Sequence, residues 1–173
     1  MNTRKLTLSS ILLAIGLALH YMIPGTLGAM KPDTLLSMMF IAILICDDYK
    51  SSIAIGTASG ILTALTTTFP GGQAPNVIDK IITAQLVFLL VRVIKKFHHQ
   101  IRMFVLAIIG TLISGTIFLS SALVLVGLPA GTNFIGLFLA VVLPAAAVNT
   151  ALCILVYNIL HATTRRTSYN LNR

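Results

Sequence analysis

The chain has no glutamate and only four aspartates, and with 12 lysines and arginines its charged side chains make up 9% of 173 residues. A soluble domain carries about 25%, so a water-facing fold is excluded. The two cysteines, Cys46 and Cys153, stand alone in apolar surroundings with no CxxC spacing. That excludes a disulfide framework and a thiolate metal site, and both read as small core residues. No GxxxxGK[ST] run is present, so the chain does not hydrolyse ATP by itself. There is no HExxH and no serine–histidine–aspartate order near a glycine elbow. Enzymatic chemistry and a bound cofactor have nothing to stand on.

What is present is apolar length. Hydrophobic residues form 57% of the chain, with a mean hydropathy of +0.96. Charge-free runs cover 6–30, 34–46, 51–78, 81–91 and 103–164. The last holds two spans of roughly 20 residues each, separated by Gly127-Leu128-Pro129-Ala130-Gly131. Arg4-Lys5 ahead of an apolar run has the form of a signal peptide. The run outlasts a signal-length core and five further spans follow, so it reads as a retained first helix. The expectation is an all-α polytopic membrane protein in one domain over 1–173, with six spans near 6–23, 33–47, 51–68, 76–97, 103–127 and 132–160.

The net charge of +8 does not point to nucleic acid, because each basic cluster flanks a span. With the N-terminus in the cytoplasm, the inner side receives Arg4, Lys5, Lys50, Arg92, Lys95, Lys96, Arg102, Arg165, Arg166 and Arg173, and the outer side only Lys31 and Lys80. This ten-to-two bias predicts that both ends lie inside. The expected location is a cell membrane, crossed several times. The second span has 13 uncharged residues between Asp33 and Asp47, short enough to require tilt, shelter or snorkelling flanks. Glycine and proline gather in the outer connections, and no inverted repeat of the kind found in many secondary transporters is present.

The elbow Thr66-Thr67-Thr68-Phe69-Pro70-Gly71-Gly72-Gln73 leads through Pro75-Asn76 to Asp79 and Lys80. Charge at the mouth of a membrane helix is expensive and usually marks a ligand or ion site. Asn76 reads as an N-cap with Asp79 favoured by the positive helix end. Lys80 has no such explanation, since a cation in a first turn opposes the macrodipole. Asn76, Asp79 and Lys80 share one face by the i, i+3, i+4 rule. Lys31-Pro32-Asp33 repeats the mixed pairing at the mouth of span two. Two mixed pairs suit a zwitterion: Lys80 or Lys31 for a carboxylate, Asp79 or Asp33 for an ammonium. Asn149, deep in the last span, needs a partner at that depth and either joins helices or faces a cavity. Asn76, Gln73 and Asn149 are candidates for neutral hydrogen bonds, and Phe69, Met38 and Tyr21 for apolar walls.

His20 and Tyr21 end span one, where interfacial anchoring is the default. His98-His99 fall in the basic inner loop and read as solvated. Ser10, Ala14 and Ala18 recur every fourth residue in span one, a spacing that lets another helix approach closely. Internal packing and docking to a separate subunit both fit that pattern.

Taken together, Arg4-Lys5-Leu6 running into Ser10 to His20, Ile23-Pro24-Gly25, Met30-Lys31-Pro32-Asp33, and above all 66–73 with Pro75-Asn76-Val77-Ile78-Asp79-Lys80 resemble the bacterial tryptophan transporter family. Its members resemble the substrate-binding (S) components of energy-coupling-factor transporters. The resemblance covers essentially the whole chain and is most specific in 24–33 and 66–80. It implies six helices with both ends inside, tryptophan captured near the outer face, and loops one, three and five as lids. It also implies docking of helix one, through Ser10, Ala14 and Ala18, on a transmembrane coupling subunit driven by two ATPase subunits. Ser10 stands where alanine is more usual in that pattern. Composition alone supports only a small polar or zwitterionic ligand, and a stand-alone proton-coupled transporter using Asp79 or Asp33 remains the alternative.

Overall fold

Apolar runs too poor in charge to face water fold into helices, because a helix satisfies every backbone group within its own segment. The computed structural model describes residues 3–22 and 32–166. Within them the chain forms α1 (Thr3–Met22), α2 (Thr34–Cys46), α3 (Tyr49–Thr66), α4 (Gln73–Val93) with a 3₁₀ turn at Ile94–Lys96, and α5 (His99–Leu125). The sixth element, α6, opens as a helical turn (Phe134–Leu137), passes through a π-helical segment (Phe138–Val142) and continues as Leu143–Arg166. Strands are absent from the described residues. The fold is an all-α membrane protein. Lys31 and the first outer loop lie outside the described residues.

Three helices are long and apolar enough to cross a bilayer by themselves: Thr3–Met22, His99–Leu125 and Phe134–Thr163. The other three are shorter or more polar, and their positions explain why. At about 1.5 Å per residue, the 13 residues of α2 fall short of a hydrocarbon core about 30 Å thick. Yet α2 packs against all five other helices, and every residue in it except Leu44 is buried. Shelter by protein, rather than tilt or snorkelling, accounts for its length. Large apolar side chains such as Ile11, Leu65, Leu89, Phe104 and Leu155 stand on the outside of the bundle, while Ser37, Ser59, Thr83, Asp79 and Asn149 are fully buried inside. An apolar outer face around an interior that also holds polar groups is what lipid surroundings require.

Lipid tails are as apolar as leucine, so helices associate through close packing of small residues. Gly56 and Gly60 on α3 face α4: a Cβ at Gly56 would meet the side chain of Ala84, and one at Gly60 would meet Val77 and Lys80. Gly16 on α1 leaves the same kind of space for Leu35 and Met38 of α2. Asp33 and Asp48 cap α2 and α3, accepting from Leu36 N at 2.9 Å and Ser51 N at 3.0 Å. The hydrogen bonds from Ser51 hold the Asp48 carboxyl below its ordinary value. Asp47 ends α2 in the left-handed conformation, φ 45°, and meets Lys95 at 3.2 Å and Arg92 at 3.6 Å. Both cysteines are buried, as expected, with Cys46 Sγ 3.2 Å from Ser9 Oγ.

The start of α4 differs from expectation. The helix begins at Gln73 with Gly72 as its cap, and Asn76 lies a turn inside, donating through Nδ2 to Gly72 O at 2.8 Å. Pro75 does not mark the boundary because a first turn needs no N–H from it.

Candidate functional site

Asp79 and Lys80 enter the bundle interior because α4 turns the face carrying Asn76, Asp79, Lys80 and Thr83 inward, and all four are buried. Lys80 Nζ reaches three groups: Asp79 Oδ2 at 2.5 Å, Asp33 Oδ2 at 2.7 Å, and Ser114 Oγ on α5 at 3.4 Å. An ammonium has three donors, and these partners use all of them. Asp79 also accepts from Thr83 Oγ1 at 2.7 Å and from Ser114 Oγ at 2.8 Å. It is sealed at 0% exposure, whereas the Asp33 side chain keeps 19%. His20 Nδ1 lies 3.9 Å from Asp33 Oδ1.

This cluster forms one wall of a partly enclosed cleft whose interior free volume is about 100 Å³. Five helices contribute to it besides His20 of α1: Leu36 from α2, Thr63 from α3, Asn76 to Lys80 from α4, Thr111 to Phe118 from α5, and Val141 to Asn149 from α6. Thr67, Thr68 and Phe69 of the α3–α4 connection close one side. Phe69 meets Phe118 edge-on, with centroids 5.3 Å apart and planes at 84°. Val141 and Val142 come from the π-helical segment, a distortion that frequently accompanies functional sites. Gly115 admits Val142, since a Cβ there would collide with it.

Charged, neutral polar and aromatic groups therefore converge on one partly enclosed space. Of the residues singled out from sequence, Asp33, Phe69, Asn76, Asp79, Lys80 and Asn149 line it. Gln73 does not: as the first helical residue it stands exposed at the rim. Met38 is buried behind the wall against Gly16, and Tyr21 is 67% exposed, so neither borders the space. His20 is not an interfacial anchor, because the last turn of α1 packs it inward at 4% exposure beside Asp33. His98 is exposed, while His99 stacks on His161 at 5.0 Å. Sequence reasoning passed over Thr63, Thr111, Ser114, Phe118 and the two valines. Ser10, Ala14 and Ala18 are all exposed, which removes internal packing as their explanation.

The fold and site define a helical membrane protein with a polar cavity inside an apolar bundle, the arrangement of a carrier for a small polar solute. Residues 2–165 match the family model described as "Tryptophan transporter TrpP". The chain is 48% identical over 158 residues to a "Probable tryptophan transport protein" of Clostridium acetobutylicum, covering 91% of each chain. It is 48% identical over 169 residues to a protein of the same description from Bacillus subtilis, covering 98% of this chain and 97% of that one. A third, from Clostridium perfringens, is 44% identical over 177 residues, covering 96% of each. No solved structure matches the chain. The chain belongs to the tryptophan transporter family, a family of transport proteins and not of enzymes.

Proposed function

We propose that this chain takes up tryptophan across the plasma membrane of a bacterium, binding it in the cleft between α2 and α6. The observation that carries the reading is the buried Asp33–Lys80–Asp79 cluster set in the same space as the Phe69–Phe118 wall. A charged amino-acid head and a large ring need those two environments side by side. Of the two carboxylates, Asp33 is the better partner for the ligand ammonium, since its side chain is partly open and Asp79 is sealed. Lys80 then serves first as counter-charge to both aspartates. To hold the ligand carboxylate as well, it has to give up one of its present partners.

The exposed face of α1 bears on the mode of energisation. An exposed line of small residues, Ser10, Ala14 and Ala18, supports docking on a transmembrane coupling subunit driven by two ATPase subunits, as in substrate-capture components with six spans and both ends inside. A second reading has its own observation. One sealed and one partly open carboxylate share one lysine, an imbalance that a proton relieves, which favours a stand-alone proton-coupled transporter.

The chain contains no tryptophan, so indole fluorescence of a preparation of the purified protein reports the ligand alone. Saturable binding of tryptophan to folded protein is the expected result, and its absence refutes the reading. Proteoliposomes holding only this chain should bind tryptophan without accumulating it under an imposed proton gradient. Accumulation there establishes the proton-coupled alternative and removes the need for ATPase partners.

A further inference from the structure

Asn149 sits where α6 faces α5 and α2, at 0% exposure, and it lines the cleft. Its backbone oxygen accepts from Ser37 Oγ at 3.5 Å, and its Nδ2 donates to Thr111 Oγ1 at 3.4 Å. Its side-chain oxygen, Oδ1, is buried and meets no hydrogen-bond donor among the described residues. Other polar groups around the cleft are supplied from within the fold: Thr63 donates to Ser59 O, Ser114 to Asp79, and Asn76 to Gly72 O. A buried carbonyl without a donor is costly. At a cavity wall, that is a place prepared for a donor brought by a ligand.

The surroundings narrow which donor. Leu36, Val141, Val142 and Ala145 share the lining with Asn149, which suits a group that carries an N–H or O–H on an otherwise apolar surface. Along α5, Thr111, Ser114 and Phe118 follow on one face. Steps of about 4.5 and 6 Å of helix rise thus separate the amide partner, the charged cluster and the aromatic wall. A solute with an ammonium near Asp33 at the middle level and a flat ring bearing one donor about 4.5 Å along the helix axis addresses the cluster and Asn149. Phe118 stands on the far side of the cluster from that donor.

We infer that Asn149 Oδ1 accepts the indole N–H, and that Asn149 is the residue that selects tryptophan over aromatic amino acids lacking that donor. This rests on the reading that tryptophan is the ligand. A pocket built around a hydrogen bond discriminates strongly, since the analogue without the donor leaves the buried acceptor unpaired. The ring as such is held by apolar contact and contributes little to that choice.

The test compares tryptophan with 3-benzothienylalanine, which replaces the indole N–H by sulfur at nearly constant shape, on the full-length purified protein. Native protein should bind the analogue at least about tenfold more weakly. In Asn149→Leu the affinities should converge, tryptophan losing and the analogue gaining, with the ratio near one. Asn149→Ala, which removes the amide without adding bulk, gives the same comparison should the leucine variant not fold. Equal binding of the two ligands by native protein overturns the inference whatever the variants do. So does a variant that binds both more weakly at an unchanged ratio, which is the outcome if the amide instead presents its Nδ2 donor to the ligand carboxylate. Folded native protein that binds no tryptophan at all refutes the functional reading along with it, whereas an unchanged ratio refutes the role of Asn149 and leaves that reading standing.

Discussion

Lys80 on α4 and Asp33 at the start of α2 lie 2.7 Å apart, and the same ammonium holds the neighbouring Asp79. One cation therefore ties two helices together while neutralising part of a doubly acidic site. The roles of the three residues are unequal, and the inequality can be measured. Lys80→Met leaves the sealed Asp79 and the partly open Asp33 without a counter-charge, and breaking a buried pair such as Asp79–Lys80 costs about 3–5 kcal/mol. Asp79→Asn leaves Lys80 balanced against Asp33 and keeps an amide within reach of Thr83 and Ser114. Thermal unfolding in detergent should show a large fall in midpoint for Lys80→Met and a small one for Asp79→Asn, with tryptophan binding abolished only in the former. Equal damage in the two variants would mean that Asp79 organises the site as much as Lys80 does.

The aromatic wall gives a second prediction. Phe118→Leu keeps an apolar side chain of similar reach but removes the ring that meets Phe69 edge-on. Aromatic pairs contribute about 0.5–1.5 kcal/mol beyond area burial, so affinity for tryptophan should fall about two- to tenfold with the protein still folded. An unchanged affinity would move the ligand ring away from this wall.

How much of this was legible beforehand follows from the range of each interaction. The helices could be read because a charge-free run is a local property, and the expected spans lie close to the observed elements. Asp79 and Lys80 stood out because charge is rare here. The bridge from Lys80 to Asp33 did not, since nothing local reports which of two mixed pairs will meet across 47 positions of chain. Thr63, Thr111 and Ser114 were invisible for a different reason. A hydroxyl in a membrane helix usually bonds its own backbone four residues back, as Thr66 and Thr150 do here, so its type alone does not separate a cavity lining from a satisfied bystander. His20 was misjudged because a helix end near the interface is also a place where a side chain can fold inward. The π-helical turn of α6 left no signal, whereas Gly56-Thr57-Ala58-Ser59-Gly60 did carry one, the small-xxx-small pattern of close helix contact.

That glycine pair supports a third prediction. A Cβ at Gly56 would lie 2.5 Å from the Ala84 Cβ and 3.0 Å from the Lys80 carbonyl, so any larger side chain pushes α4 away from α3. Since α4 carries Asp79 and Lys80, Gly56→Val should lower both the unfolding midpoint and the tryptophan affinity. Ala58→Val, on the same helix but only partly buried, should change neither by much. If Gly56→Val alters stability and leaves affinity intact, the site tolerates movement of α4 and the close contact serves folding alone.

Sidedness is tested by labelling. The proposed orientation sets the α3–α4 connection and the 126–133 connection outside, and the cluster of Asp47, Arg92 and Lys95 inside. Gln73→Cys and Thr132→Cys, both at exposed positions, should react with a membrane-impermeant maleimide on intact cells. Lys96→Cys should react only after the cells are opened. The native cysteines are buried and supply an unreactive background. The reverse pattern would invert the topology and put the cleft mouth in the cytoplasm.

The last prediction separates capture from energisation. Ser10, Ala14 and Ala18 are exposed on α1, and none of them lines the cleft. Bulk added there cannot reach a bound ligand, but it holds a neighbouring helix at a distance, and close approach is what associates helices in lipid. Ala14→Leu and Ala18→Leu should therefore abolish tryptophan uptake by cells while the purified variants bind tryptophan with nearly native affinity. The contact on the opposite face of α1 provides the contrast. Gly16 packs against Leu35 and Met38, so Gly16→Leu should disturb α2, and with it Asp33, and lose binding and uptake together. Full uptake by Ala14→Leu and Ala18→Leu would show that no subunit docks on this face. The proton-coupled mode would then be the one to pursue, with the two carboxylates on Lys80 as its first candidates.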